Sequence, residues 1–243
     1  MVSRLRPLFF ACLLTLSFYS NGQTVHGNPE VWFLVLNNFD LNDRWRIGNE
    51  LHLRRNGWLE DQKQFIIRPY VELRLTDAIL PMVGYSYIET APHGDFPLPT
   101  DKPEHNFWEQ VTVQQKLPKA TITHRYRLEH RYQGKIAVDE QGNAAINGFS
   151  FSHRFRYRLI YKHPLGKNGF VLLFDELWIN IPDGLRSSDF DRNWVYAALG
   201  RNFGKGTSGQ IAYLYQWTRS SAELYESNHG VQFTFQYDLK LKS

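Results

Sequence analysis

Two stretches of the chain carry arginine at alternate positions, which is a spacing suited to binding anions. They read RYRLEHRY at 125–132 and RFRYRLIY at 154–161. Alternate side chains of an extended strand lie on one face, so each stretch presents a row of guanidinium groups. Guanidinium groups form bidentate pairs with carboxylates and phosphates. The arginines are Arg125, Arg127, Arg131, Arg154, Arg156 and Arg158.

Carboxylates that could neutralise these arginines are few. Glu129 lies within the first row, and Glu72 and Glu176 occupy other alternating segments. Two interpretations stay open. In one, the arginines and glutamates form a charge network that fills a narrow interior. In the other, the excess of arginine makes an anion-binding or anion-selective interior, occupied by small anions.

Other chemistry has weaker support. His124, His130 and His153 alternate with the arginines and therefore lie on the opposite face. A nucleophile needs a base within hydrogen-bond distance, and no serine or aspartate partner is evident on that face. A lipid-modifying enzyme is thus a less favoured alternative. The sequence predicts no catalytic residue, no metal site, no cofactor and no enzymatic activity.

The elements that position these residues are β-strands. Apolar and polar residues alternate in nearly every segment, which indicates strands with one apolar face. The predicted strands have about 9–12 residues, which is long for soluble sheets and typical of membrane barrels. We predict eleven such segments: 31–40, 44–54, 64–75, 79–89, 107–116, 122–132, 149–161, 170–180, 193–203, 210–218 and 231–241.

The first residues have the pattern of an export signal. Arg4 and Arg6 precede an apolar run, and small residues at Ser20 and Gly22 suit a peptidase site. We predict a cleavable signal peptide at 1–22 and a single barrel domain at 23–243. The signal peptide holds two arginines and no acidic residue, so its removal lowers the formal net charge from +4 to +2. This small charge gives no reason to expect a nucleic-acid partner.

Composition and connections favour a transmembrane barrel. Aromatic residues make up 15% of the chain although its mean hydropathy is only -0.45, as expected when alternate residues face lipid. Predicted connections alternate between short turns (76–77, 117–119, 163–169 and 204–206) and longer loops (90–105, 133–148, 181–191 and 219–228). Outer-membrane barrels have short periplasmic turns and long extracellular loops. The segments fit ten to twelve antiparallel strands, and we favour twelve because an even count is usual and residues 23–30 could supply the additional strand.

The order of several motifs resembles a known family. RYRLEHRY (125–132), RFRYRLIY (154–161), FDELWIN (174–180) and FDRNWVYAALGRNF (190–203) occur in sequence, with Trp32, Gly84-Tyr85 and His229-Gly230 around them. The chain resembles the domain-of-unknown-function family 2490, small outer-membrane barrels typical of Bacteroidota. The resemblance implies a fold and an outer-membrane location in a Gram-negative bacterium, but no activity. The C-terminus departs from the usual pattern, because it ends in LKLKS and not on an aromatic residue.

The sequence therefore predicts an all-β transmembrane barrel in the outer membrane. Its expected role is structural or accessory, with an Arg/Glu-filled lumen, and a narrow anion-selective channel or anion-binding barrel is the alternative. The expected partners are outer-membrane lipids, with other envelope proteins and small anions as further candidates.

Overall fold

The alternating segments form the strands of one sheet. We describe a computed structural model of the protein at residues 24–95, 97–181, 189–219 and 224–241. The predicted signal peptide at 1–22 lies outside these residues. The strands are β1 (Thr24–His26), β2 (Pro29–Asp40), β3 (Trp45–Asn56), β4 (Asp61–Leu73), β5 (Ile79–Thr90), β6 (Lys102–Leu117), β7 (Ala120–Val138), β8 (Ala144–Leu165), β9 (Gly169–Ile181), β10 (Phe190–Gly204), β11 (Thr207–Arg219) and β12 (Leu224–Lys240).

The sheet closes into a barrel through a parallel seam between its first and last long strands. Neighbours in sequence pair antiparallel from β2 to β12, and β12 then pairs with β2 in parallel, with Val31 opposite Val231 and Lys240 opposite Asp40. The short β1 also pairs with β12 in parallel, with Thr24 opposite Leu224, so its register continues that of β2. Hence β1 and β2 are one line of strand, interrupted at residues 27–28.

The barrel therefore closes with eleven strands. This number lies within the predicted ten to twelve but is one fewer than the twelve that we favoured. The additional strand expected from residues 23–30 does not run back across the barrel, because residues 24–26 run in the same direction as β2. Because consecutive strands run in opposite directions, an odd number of strands leaves the first and the last strand running in the same direction. The parallel seam follows from the strand count.

All eleven predicted segments are confirmed as strands, but several connections are shorter than expected. The predicted loop at 133–148 is mostly a hairpin, since β7 and β8 pair as far as Val138 and Ala144. The predicted loop at 90–105 ends early because β6 begins at Lys102. Consequently β7 has 19 residues and β8 has 22, well beyond the predicted 9–12.

The two ends of the barrel differ. We call the end formed by 41–44, 74–78, 118–119, 166–168 and 205–206 the short-turn end. The long-loop end is the opposite one, with 57–60, 91–95, 97–101 and the tip of the β7–β8 hairpin at 139–143. Within the described residues, no helix has the length and apolar character to cross a bilayer.

The outer surface of the barrel is apolar and the lumen is polar. Val83, Leu199 and Ile211 each expose half or more of their side-chain surface. Residues that alternate with exposed ones point inward, and several are buried and charged, such as Arg127 beside the exposed Tyr126 and Glu176 beside the exposed Leu177. Exposed apolar side chains outside and charged ones inside are the reverse of a soluble domain, and they are the arrangement of a barrel in lipid.

Three inward-facing glycines make room for aromatic rings on the neighbouring strand. Gly84 pairs with Trp108, Gly48 with Tyr70, and Gly200 with Phe170. A Cβ atom on any of these glycines would lie only 2.1–2.3 Å from the facing ring. Each ring therefore lies flat over the backbone of its partner strand and occupies less of the lumen. The Gly84–Trp108 pair lies beside the arginine rows described next.

Candidate functional site: the charged lumen

The candidate site is a network of ion pairs in the middle of the lumen. Glu129 is fully buried and accepts hydrogen bonds from Arg154 Nη2 and Arg156 Nη1, both at 2.6 Å. The register explains part of this contact, because Glu129 on β7 lies directly opposite Arg154 on β8. Asp191, a second carboxylate, accepts from Arg154 Nη1 at 3.0 Å. Strands β7, β8 and β10 are thus linked through charged groups.

Glu176 binds three arginines. It accepts from Arg156 Nε at 2.9 Å, from Arg158 Nη2 at 2.5 Å, and from Arg125. Its relative exposure is 0%, so the carboxylate is shielded from bulk water. Arg156 bridges Glu129 and Glu176 and is itself 2% exposed. A buried carboxylate with several guanidinium partners is well compensated, and the loss of any member is costly.

Two further buried arginines bond to amides. Arg127 donates to Gln110 Oε1 at 2.8 Å, and Arg54 donates to Gln64 Oε1 at 2.8 Å. Each also has one buried nitrogen, Nη1 of Arg127 and Nε of Arg54, without a hydrogen-bond partner among the described residues. The guanidinium carbon of Arg54 lies 3.7 Å from the ring centroid of Trp32, and that of Arg127 lies 3.9 Å from Trp108. Indole faces therefore replace carboxylates at these two positions.

Two predicted members of the network lie elsewhere. Arg131 forms a bidentate pair with Glu104, with both distances 2.8 Å, towards the long-loop end. Glu72 lies 3.9 Å from Arg46 towards the short-turn end. Six of the other predicted residues are joined by ion pairs: Arg125, Glu129, Arg154, Arg156, Arg158 and Glu176. Arg127, the seventh, contacts Gln110 and Trp108 instead.

Sequence reasoning missed the tryptophans of this site. We expected the aromatic side chains on the outer face, yet Trp32, Trp108, Trp178 and Trp194 are all at most 5% exposed in the lumen. Their position relative to charged neighbours could have revealed this. Trp178 is two residues from Glu176, and Trp194 is two from Arg192, so each shares the inward face of its strand.

Buried side chains from ten consecutive strands form a layer across the lumen, which we call the central layer. Trp178 and Trp194 have ring centroids 4.5 Å apart, and Trp194 and Trp32 are 5.2 Å apart. On the other side, Ser86 accepts hydrogen bonds from Arg68 and Trp108. The layer comprises Trp32, Arg54, Arg68, Ser86, Trp108, Arg127, Glu129, Arg156, Glu176, Trp178, Trp194 and Gln216, all of which are at most 7% exposed.

Two cavities lie on opposite sides of the central layer. The short-turn cavity has a volume of about 370 Å³ and is lined by residues such as Lys162, Phe170 and Asn202. The long-loop vestibule has a volume of about 510 Å³ and is lined by residues such as Lys63, Arg131 and Arg192. The two cavities share no lining residue. The central layer thus lies between the two cavities.

The outward histidines form a separate group. His130 Nδ1 lies 2.8 Å from His153 Nδ1, and His130 Nε2 lies 3.0 Å from a carboxylate oxygen of Glu109. His124 Nδ1 contacts Tyr157 at 2.9 Å. Glu109 is an outward acidic residue that the sequence analysis overlooked. Ser150, which lies on the inward face, donates to the backbone of Gln133.

Comparison with known proteins identifies the family. The model of the family described as "Protein of unknown function (DUF2490)" matches residues 30–227. The chain belongs to this family, and the resemblance seen in the sequence is confirmed. No curated protein gives a significant match.

Two solved structures are similar. One is the porin NanC in a rhombohedral crystal form, at 10% identity and TM-score 0.45, covering 74% of this chain and 78% of that chain. The other is the β-domain of the Bordetella autotransporter BrkA, at 13% identity and TM-score 0.44, covering 79% and 80%.

Proposed function

We propose that the protein is an integral outer-membrane barrel with a closed lumen, acting as a structural or accessory component of the bacterial envelope. The observation that carries this proposal is the central layer. Its indoles and ion pairs leave Glu129 and Glu176 fully buried, which supports an interior without a continuous water-filled passage. A small barrel whose interior is filled by side chains is a poor conductor.

The outer surface and the ends support the membrane assignment. Exposed residues such as Val83, Phe107 and Leu199 suit contact with lipid tails. Short turns face the periplasm in outer-membrane barrels, so the short-turn end is assigned to the periplasm and the β7–β8 hairpin to the cell exterior. Other envelope proteins are the partners expected for an accessory role.

A conductance measurement tests the closed lumen. We expect the refolded barrel to give no discrete current steps in a planar bilayer. Replacing two indoles of the central layer, in the double variant Trp32→Ala/Trp194→Ala, should open a passage and produce steps. The matched control is Trp217→Ala, which removes a tryptophan that stacks on Tyr225 on the outer side. Steps from the unmodified barrel would contradict the proposal.

A second candidate function, a narrow anion-selective channel, is favoured by one observation. Arg54 and Arg127 carry their charge in the central layer with amides and indoles as partners. If the unmodified barrel conducts, a salt gradient should give a reversal potential that favours anions. The variants Arg127→Leu and Arg156→Leu should then abolish this preference, and retained selectivity would exclude these arginines as the filter.

A further inference from the structure

The short-turn cavity has two chemically different walls. Its floor is the central layer, and Asn202 and Ser208, beside the turn at 205–206, line its other end. The lining side chains that are apolar are Leu34, Leu36, Ile160, Phe170, Leu172, Phe174 and Leu214. Those that carry positive charge are Arg54, Arg68, Arg125, Arg156, Arg158 and Lys162.

The apolar wall is not explained by the fold of the barrel. Inward positions of small membrane barrels are polar, yet β2 places Leu34 and Leu36 inward in succession, and β9 does the same with Phe170, Leu172 and Phe174. Phe174 stacks on Tyr196 at a centroid distance of 4.4 Å, so the wall is ordered by packing. Apolar surface of this kind in a cavity is stabilised when an apolar group covers it.

The charged wall has more cations than carboxylates. Among the described residues, the acids that line the cavity are Glu50 and Asp238, and Glu176 behind the wall already binds three arginines. Nε of Arg125 is buried without a hydrogen-bond partner among the described residues. Lys162 Nζ lies 4.2 Å from the ring centroid of Phe170 and forms no ion pair with a described residue. The cavity therefore retains capacity for an added anion.

We propose that the short-turn cavity binds a small amphipathic anion, a carboxylate carrying an aromatic or alkyl body. Its carboxylate would bind Lys162, Arg125 and Arg158. Its apolar body would pack against Leu172, Phe174 and the leucines of β2. The volume of about 370 Å³ lies at the small end of ligand pockets and fits one such molecule. The proposal rests on the proposed function in one respect, because the closed central layer forms the floor of the cavity.

The test is calorimetry with naphthalene-2-carboxylate on the full chain in lipid nanodiscs. We expect saturable binding of one molecule per barrel, and much weaker binding of the neutral naphthalene-2-carboxamide and of acetate. Lys162→Met should weaken binding on the order of tenfold, as expected for the loss of a hydrogen bond to a charged group. Leu172→Gln should weaken binding by disrupting the apolar wall.

The matched control is Lys102→Met, which changes a lysine of the long-loop vestibule and should leave binding unchanged. Folding of each variant is checked by its heat-dependent migration on a gel. No saturable binding, equal binding of the carboxamide, or unchanged binding by folded Lys162→Met and Leu172→Gln would overturn the proposal. Conductance is measured separately. A barrel that gives no current steps and does not bind the carboxylate refutes the ligand proposal alone, and a barrel that conducts and binds refutes the closed lumen alone.

Discussion

Arg156 and Trp178 face each other directly across strands β8 and β9, with the guanidinium carbon 3.5 Å from the ring centroid of Trp178. The edge of the same guanidinium group donates to Glu129 and Glu176. One planar cation thus uses its face for an indole and its edge for two carboxylates. Arg54 and Trp32 repeat the direct pairing on β2 and β3. Arginine is required at such positions, since lysine lacks the flat, multiply donating group.

The two types of buried arginine should respond differently to neutral substitution. Arg156→Met leaves Glu129 and Glu176 short of a partner in a buried site, so we expect a loss of about 3–5 kcal/mol in the free energy of unfolding. Arg127→Met removes a cation that has no ion-pair partner among the described residues and leaves Oε1 of Gln110 without its donor, which costs about 1–3 kcal/mol. Urea unfolding of the barrel in lipid vesicles measures both. Equal losses would contradict the assignment of Arg156 as the bridge.

Glu176 is expected to be the most sensitive carboxylate of the lumen. Glu176→Gln keeps the shape of the side chain but leaves Arg125, Arg156 and Arg158 crowded around a neutral group, so the folded barrel should lose several kcal/mol of stability. Glu140→Gln is the matched control, because Glu140 is exposed at the tip of the β7–β8 hairpin. The same unfolding midpoint for both variants would show that the buried ion pairs contribute little.

The glycine–aromatic pairs predict a coupling between neighbouring strands. A Cβ atom at position 200 would lie 2.1 Å from Cζ of Phe170, so Gly200→Ala should destabilise the barrel by about 1–3 kcal/mol through overpacking. Phe170→Leu shortens the facing side chain and should reduce the cost of Gly200→Ala in the double variant. A double-mutant cycle in urea measures this coupling energy, and strictly additive effects would argue against the contact.

The sequence was sufficient for the strands because their alternation reflects a physical constraint. Each residue of a membrane-barrel strand faces either lipid or lumen, so a segment such as 149–161 must alternate aromatic residues with arginine. Strand ends were less predictable, because β7 and β8 continue as a hairpin to Val138 and Ala144, where most side chains are exposed and no buried face enforces the alternation. The count is eleven because residues 24–26 run in the same direction as β2 and add no separate strand. A segment of three residues has too little pattern for the sequence to show its direction.

The seam can be tested by crosslinking. Val35 and Phe235 are direct partners in the parallel β2–β12 ladder. In a chain with Cys12→Ser, the pair Val35→Cys/Phe235→Cys should form a disulfide on oxidation, because paired residues of adjacent strands lie within bonding reach. The control pair Val35→Cys/Val231→Cys is displaced by four residues along β12 and should not. Crosslinking of both pairs, or of neither, would contradict an eleven-stranded closure.

The hairpin tip offers a test that depends on pH. Hydrogen bonds from the Asn143 side chain, and then from its backbone N–H, lower the pKa of Asp139 below its ordinary value. A lowered pKa means that the ionised form stabilises the turn, so this contribution is present above the ordinary pKa of aspartate and is lost as the pH falls. Asn143→Ala should raise the pKa of Asp139 towards its ordinary value, as measured by carboxyl NMR. An unchanged pKa would exclude Asn143 as the main cause.

The site was only partly predictable, for a reason of register. The sequence places Arg154, Arg156 and Arg158 on one face, but it does not state which residue of β7 or β9 lies opposite each of them. That pairing assigns Glu129 to Arg154 and Glu176 to Arg158. Arg131 was expected to join this group, and it binds Glu104 on β6 instead. Partners across strands follow from the barrel as a whole, which no single segment encodes.

The parallel seam also has a consequence for how the protein assembles. All pairs of neighbouring strands except those at the seam are consecutive in sequence and can form as local hairpins. The partners at the seam are 200 residues apart. Contacts between such distant residues are slow to form because of the entropy of closing so long a loop. Until β12 reaches β2, the growing sheet has two unpaired edges, and such edges invite pairing with other chains. The chain is therefore most exposed to wrong pairing in the interval before the seam closes.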